Sequence, residues 1–272
     1  MLTAHVGIVS EESKISPSEL TRVAAALQKQ ISRDFGPLWK IQANVAAFTS
    51  LEDLPLDYWP VVIKDDIGDP SAAGYHEDQH GQPFALVEYS QGWSLTASHE
   101  VLEMLADPFG RRQVAGESPV TGQGRVKFLV EVCDPCEADA FSYTVNGIRV
   151  SDFYTPNYFD PVKSPGARYS YTGSLASPRE VKKGGYLSWY HPKTHTWWQR
   201  TYFGSKPADA AIKGLRVTNG NVRAAIDRHT EAGRQDAMAY SKPPKASSRG
   251  QASFDSRADD LRKHIAKLGN AK

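Results

Sequence analysis

The chain has 272 residues, 40% hydrophobic and 23% charged, with 32 Lys and Arg against 31 Asp and Glu. That is ordinary globular composition, and the balance of charge excludes bulk attraction to nucleic acid or to a membrane surface. The chain carries no run of about 18 apolar residues to span a membrane, no basic-then-apolar leader and only two cysteines, so a cytoplasmic protein is expected.

In chain order, His5-Val6-Gly7-Ile8-Val9 reads as a buried strand. Ser16-Pro17-Ser18-Glu19 is a capping box with Pro at the first helical position. Leu20, Val23, Ala24, Leu27 and Ile31 follow at helical spacing, so a helix is expected to about Asp34, where Gly36-Pro37 stops it. Strands are expected over 41–48, 59–67 and 84–89, the last after a loop over 74–81 that carries His76 and His80. A second helix is expected over 94–106, ended by Asp107-Pro108 and Gly110.

Residues 110–124 read as polar loop and 126–133 as a strand. Asn146-Gly147 signals a hairpin over 143–150. A second hairpin, rich in Trp and Tyr, is expected over 186–190 and 196–203. Residues 207–214 and 222–240 read as helical. From Ser241 the composition turns to Lys, Pro, Ser, Gly and Arg, a linker to 256 with a short exposed helix over 257–268.

The chemistry concentrates on Ser98-His99-Glu100-Val101-Leu102-Glu103. On a helix His99 and Glu103 emerge on one face, one turn apart, with Glu100 beside them. This is the geometry of the His-Glu-x-x-His helix, where two side chains hold zinc and the Glu is the general base. Glu103 replaces the second His, and a carboxylate oxygen is an acceptable zinc ligand that adds negative charge. The segment is otherwise apolar, so its ionisable groups need partners, and a cation would be one. A catalytic zinc needs a third protein ligand and an open position. Asp134 and Glu131, in Glu131-Val132-Cys133-Asp134 at the end of a hydrophobic strand, are the candidates. Asp134 is preferred, because Glu131 sits within the strand, where it could orient His99 instead.

Cys133-Asp134-Pro135-Cys136 is a C-x-x-C pair with no second pair to complete a four-cysteine site, and buried free thiols are the simpler reading. His76 and His80 read as solvated loop residues. His191 and His195, beside Trp189, Trp197 and Trp198, read as part of a packing surface. His229 and His264 read as surface residues. Tyr75, Tyr154 and Tyr158 are candidate oxyanion donors among which nothing selects.

The stretch from Trp93 to Pro108, with Glu131-Val132-Cys133-Asp134-Pro135-Cys136 downstream, resembles a pattern in uncharacterised bacterial zincin-like proteins. Locally it is also similar to the plant EXORDIUM (phosphate-induced) family, which shows a Ser/Ala-His-Glu-x-x-Glu helix and a later Glu-x-x-Asp-x-Cys. The match covers about residues 93–137. The order of elements over 5–106 resembles the N-terminal half of zincin metallopeptidases, where an edge strand holds an extended peptide by strand addition; by that analogy the edge would be 84–89. The chain departs from the zincin pattern in lacking the second His, a ligand at Phe109 and a Met-turn.

The resemblance implies an α+β fold, a zincin-like mixed sheet with a backing helix and an active-site helix, followed by a hairpin-rich and helical part. A zincin-like metal-binding domain would then occupy 1–240, in subdomains 1–108 and 109–240, with a flexible basic tail over 241–272. The expected activity is that of a zinc-dependent hydrolase, a peptidase acting on a peptide or protein substrate. His99, Glu103 and Asp134 or Glu131 would hold Zn²⁺ and Glu100 would be the base. The alternatives are a catalytically inactive zincin-like scaffold that binds partners, through the aromatic hairpin and the basic tail, and a redox or metal-storage role for the two cysteines.

Overall fold

The computed structural model describes residues 3–69, 72–215, 217 and 222–239; the expectations for 241–272 lie outside the described residues. The fold is α+β, a mixed sheet followed by antiparallel ones.

The first sheet contains β1 (Thr3–Ser10), β2 (Gln42–Phe48), β3 (Tyr58–Lys64), β4 (Gly74–Gln79) and β5 (Gln82–Glu88), in the order β2-β1-β3-β5-β4. β1 pairs in parallel with β2 and β3, and β3 with β5, whereas β4 runs antiparallel to β5. Val61, Val62 and Ile63 on β3 are wholly buried, the continuous apolar run expected of a strand covered on both faces.

Helix α1 (Pro17–Lys29) starts as its capping box requires, with the Ser16 side chain accepting the Glu19 N–H, and buries Leu20, Val23, Ala24 and Leu27. It does not stop at Gly36-Pro37. The chain continues through a π-helical turn, Gln30–Phe35, into the short α2 (Gly36–Trp39) and ends at Lys40 in the left-handed region. Pro37 falls in the first turn of α2, where its missing N–H has no partner to lose. Helix α3 (Trp93–Ala106) is buried along most of its length, with Ala97, Val101, Leu102 and Met104 wholly inside.

The second sheet is antiparallel, in the order β12-β11-β10-β7-β6: β6 (Gln113–Glu117), β7 (Arg125–Leu129), β10 (Tyr186–His191), β11 (Thr196–Thr201) and β12 (Ala208–Ala211). β8 (Tyr143–Val145) and β9 (Ile148–Val150) form a separate hairpin turned by Asn146-Gly147, both at positive φ. Helix α4 (Val222–Ala239) follows. One hydrophobic cluster runs from Val6, Leu27 and Val101 to Phe128, Phe153 and Trp189, so both halves share a core. Among the described residues no helix is long and apolar enough to cross a membrane.

Three elements differ from the sequence reading. Residues 74–79 are a strand rather than a loop, because His80 (φ 52) and Gly81 (φ 83) make a two-residue turn that folds β4 back onto β5. That turn moves β5 to the interior and makes β4, not 84–89, the edge of the sheet. Residues 208–211 are a strand rather than helix: pairing with β11 overrides the helical preference of three alanines. The stretch expected to be polar loop contains β6.

Candidate metal centre

The second half of α3 carries His99, Glu100 and Glu103 to the base of a cleft. The chain leaving β7 brings Asp134 there, at the start of a one-turn 3₁₀ helix, Asp134–Cys136. His99 Nε2 lies 3.2 Å from Glu103 Oε2 and 3.3 Å from Asp134 Oδ1. Charge-assisted hydrogen bonds of this kind settle nearer about 2.7–2.9 Å. Two corners of a tetrahedron around a zinc with bonds of about 2.0–2.1 Å are instead about 3.3 Å apart. His99 Nε2 thus has one carboxylate oxygen of Glu103 and one of Asp134 within ion-pairing reach.

The donor set also has spare capacity. Asp134 Oδ2, Glu131 Oε1 and His76 Nδ1 are buried with no hydrogen-bond partner, and unsatisfied atoms of that kind are rare in folded proteins. His99, Glu103 and Cys133, and likewise Glu103, Glu131 and Asp134, offer ligand atoms within 4.8 Å of one another. Nitrogen and carboxylate donors of this type suit zinc. Glu103 is wholly buried; its Oε1 accepts the Cys133 N–H at 3.0 Å, which orients Oε2 toward His99.

The electrostatics follow from burial. Burial works against a charged His99, but Glu103 and Asp134 outweigh it and raise the imidazole well above its ordinary value. Burial would raise Glu103, yet His99 and Arg223 hold it well below the carboxylate range. Asp134 and Glu131 both rise, chiefly from burial; Glu103 adds to the rise of each and Arg223 opposes that of Glu131.

Glu100 is 3% exposed and lies at the wall of the cleft. Its Oε2 is 3.5 Å from His76 Nδ1 and 3.3 Å from Arg223 Nη2. Glu131 does not reach toward His99: its Oε2 accepts from Arg223 Nε at 2.8 Å. Of the two candidates for third ligand, Asp134 is the one in contact with His99.

Three residues that sequence reasoning passed over belong to the site. His76, read as a solvated loop residue, is wholly buried on β4 because the His80-Gly81 turn places its strand beside α3. Arg223 and Asp227 come from α4. Arg223 is 3% exposed, touches Glu100, Glu103, Glu131 and Asp227, and donates to the His76 carbonyl at 3.0 Å. Asp227 Oδ1 accepts from the Tyr186 hydroxyl at 3.1 Å. The alternation of β4 ahead of a two-residue turn was the available signal for His76. Arg223 had none, since one arginine at a helix start reads as a surface charge.

Of the other candidates, Cys133 borders the site, offering a ligand atom with His99 and Glu103, and Tyr75 lines the cleft. Cys133 and Cys136 are buried free thiols, raised by that burial. His191 is buried and bonded to Thr194 and the Gln123 carbonyl, and Trp189 packs against Phe128 and Trp198. His80 sits in its turn and His229 is exposed; His264 lies outside the described residues. The Tyr75 and Tyr158 hydroxyls donate to the Ile67 and Glu180 carbonyls. Tyr154 is sealed from solvent, its hydroxyl unpartnered.

The cleft above the site has a volume of about 240 Å³ and is walled by β4, α3 and α4. At its base His99 and Glu103, one turn apart on α3, meet Asp134 from the loop after β7, with Glu100 beside them. Comparison with family models, curated proteins and solved structures finds no match for this chain.

Proposed function

We propose that the chain is a zinc-dependent hydrolase of zincin type, acting on peptide bonds. The observation that carries this reading is the spacing of His99 from Glu103 and Asp134, 3.2 and 3.3 Å, at the base of a cleft. His99, Glu103 and Asp134 would hold the ion. A bound Zn²⁺ supplies Lewis acidity and lowers the pKa of water at its open position.

The chain's own residues supply the rest. Glu100, next to His99 and rotated to the cleft wall, receives the proton of the attacking water at a carboxylate oxygen and returns it to the leaving amine. Burial of the walls excludes bulk water and strengthens each electrostatic contact. β4 is the edge of its sheet and flanks the cleft, with its His76 carbonyl already held by Arg223. The strand 84–89 expected to be that edge lies inside the sheet, so an extended peptide would have to pair with β4 instead.

The test starts with elemental mass spectrometry on protein purified without added metal, followed by hydrolysis of a peptide library. Glu100→Gln should keep about one zinc per chain and lose activity by at least about 10²-fold; His99→Ala should lose both. Unchanged hydrolysis in Glu100→Gln would remove the assigned role. One observation favours a second reading, an inactive scaffold that binds partners: Arg223 already neutralises part of the carboxylate charge. Under that reading zinc is not taken up even when offered.

A further inference from the structure

Arg223 lies where a second cation would lie. Its guanidinium touches Glu100 Oε2 at 3.3 Å, Glu103 Oε2 at 3.1 Å, Glu131 Oε2 at 2.8 Å and Asp227 Oδ2 at 3.4 Å. His76, Glu100 and Glu103 offer ligand atoms within 4.8 Å of one another around the same place.

His76 is the independent pointer to a ligand. Its Nε2 is 3.1 Å from the Asp107 carbonyl oxygen, which can only accept, so Nε2 carries the proton. Nδ1 faces Glu100 Oε2 across 3.5 Å and has no hydrogen-bond partner, in a residue with no exposure. Such an arrangement is reconciled by a cation between them. Charge points the same way. Arg223 stands among the carboxylates of Glu100, Glu103, Glu131 and Asp227, and buried charge calls for a partner.

We infer that His76, Glu100 and Glu103 form a second divalent-cation position beside the first, sharing Glu103 with it, and that Arg223 fills this position as a tethered cation which keeps the site mononuclear. The inference rests on the metal reading above. Paired metals in hydrolytic sites sit about 3.5–4 Å apart and share a carboxylate, the relation that Glu103 has to His99 on one side and to His76 and Glu100 on the other. With Arg223 in place, Glu100 is not recruited as a ligand and stays available as a base. The specificity is for one ion over two, and the residue that sets it is on α4.

The experiment counts Zn²⁺ bound per folded chain, by calorimetric titration of metal-stripped protein and elemental analysis after gel filtration. The wild type should bind one equivalent and Arg223→Met two, and the Arg223→Met, His76→Asn double variant should return to one. Thermal unfolding is followed alongside, because the second equivalent should raise the midpoint of Arg223→Met and leave the wild type unmoved. Arg223→Gln is the companion where the methionine variant does not fold. One equivalent in the folded Arg223 variants, or two in the wild type, overturns the inference while leaving the first site standing. No uptake by the wild type removes the first site and this one with it.

Discussion

Gly74 opens β4 where that strand crosses α3, and its lack of a side chain lets Glu100 stand at the cleft wall. A Cβ added there would lie 2.6 Å from Thr96 Cγ2 and 3.1 Å from both Cγ and Oε1 of Glu100. Carbon atoms in contact settle at about 3.5–4.0 Å, so in Gly74→Ala the Thr96 methyl must give way by about 1 Å. Crowding of this order costs about 1–3 kcal/mol. Gly74 has no positive φ, so alanine meets no backbone strain and recovers about 0.4–1 kcal/mol by restricting the unfolded chain. The midpoints of the two ranges leave a net loss of about 1.3 kcal/mol, read as a lower urea midpoint at unchanged slope. Thr96→Ser removes the obstructing methyl, so the double variant should lose less than the sum of the singles, with a coupling of at least about 0.5 kcal/mol. Any hydrolysis should fall further than stability requires, because the Glu100 side chain, 3.1 Å from the added carbon, must also shift from its place. A Gly74→Ala protein as stable as its parent, or strict additivity with Thr96→Ser, would refute the argument that α3 and β4 meet here without slack.

Ser98, on the face of α3 away from the cleft, donates to Gln30 Oε1 at 2.9 Å and accepts the Ser151 N–H at 2.9 Å, all three buried. Ser98→Ala leaves a donor and an acceptor unpaired and should lower chemical stability by about 1–3 kcal/mol without changing metal uptake. The metal-free protein should lose stability as pH rises from about 5 to about 8. The raised His99 contributes stability that is complete below its unfolded pKa and is lost as pH passes the folded value. Asp134 and Glu131, also raised, likewise bind more protons in the folded state, so their effect has the same sign. The lowered Glu103 contributes in the opposite sense, and only as pH falls through the acid range. Zinc should reverse the slope, since its ligands must be deprotonated to bind; thermal melts at two pH values, with and without a chelator, test both signs.

The helix that carries the chemistry was legible in the amino-acid sequence, because its information is local. Four-residue spacing decides that His99 and Glu103 share a face, and the surrounding apolar residues decide that the face is buried. The capping box at Ser16, the Asn146-Gly147 hairpin and the run Val61 to Ile63 are legible for the same reason: each is settled by a few neighbouring residues. The choice of Asp134 over Glu131 as His99's neighbour was not, since either can reach the end of α3 until the path of the chain after β7 is known. The edge position of β4 depends on a turn built from His80 and Gly81, both at positive φ, and His-Gly is not the Asn-Gly or Asp-Gly pair by which such a turn is read from sequence. Residues 208–211 have helical composition, and only the unpaired side of β11 makes them a strand. Arg223 is the furthest case. Its charge, 120 residues from Glu103 along the chain, acquires meaning only when α4 packs over the cleft and sets one guanidinium among four carboxylates. Local periodicity placed His99 and Glu103 on one face; the arginine that shares their cleft was placed by tertiary packing, because no short-range pattern encodes which distant charge a buried carboxylate will meet.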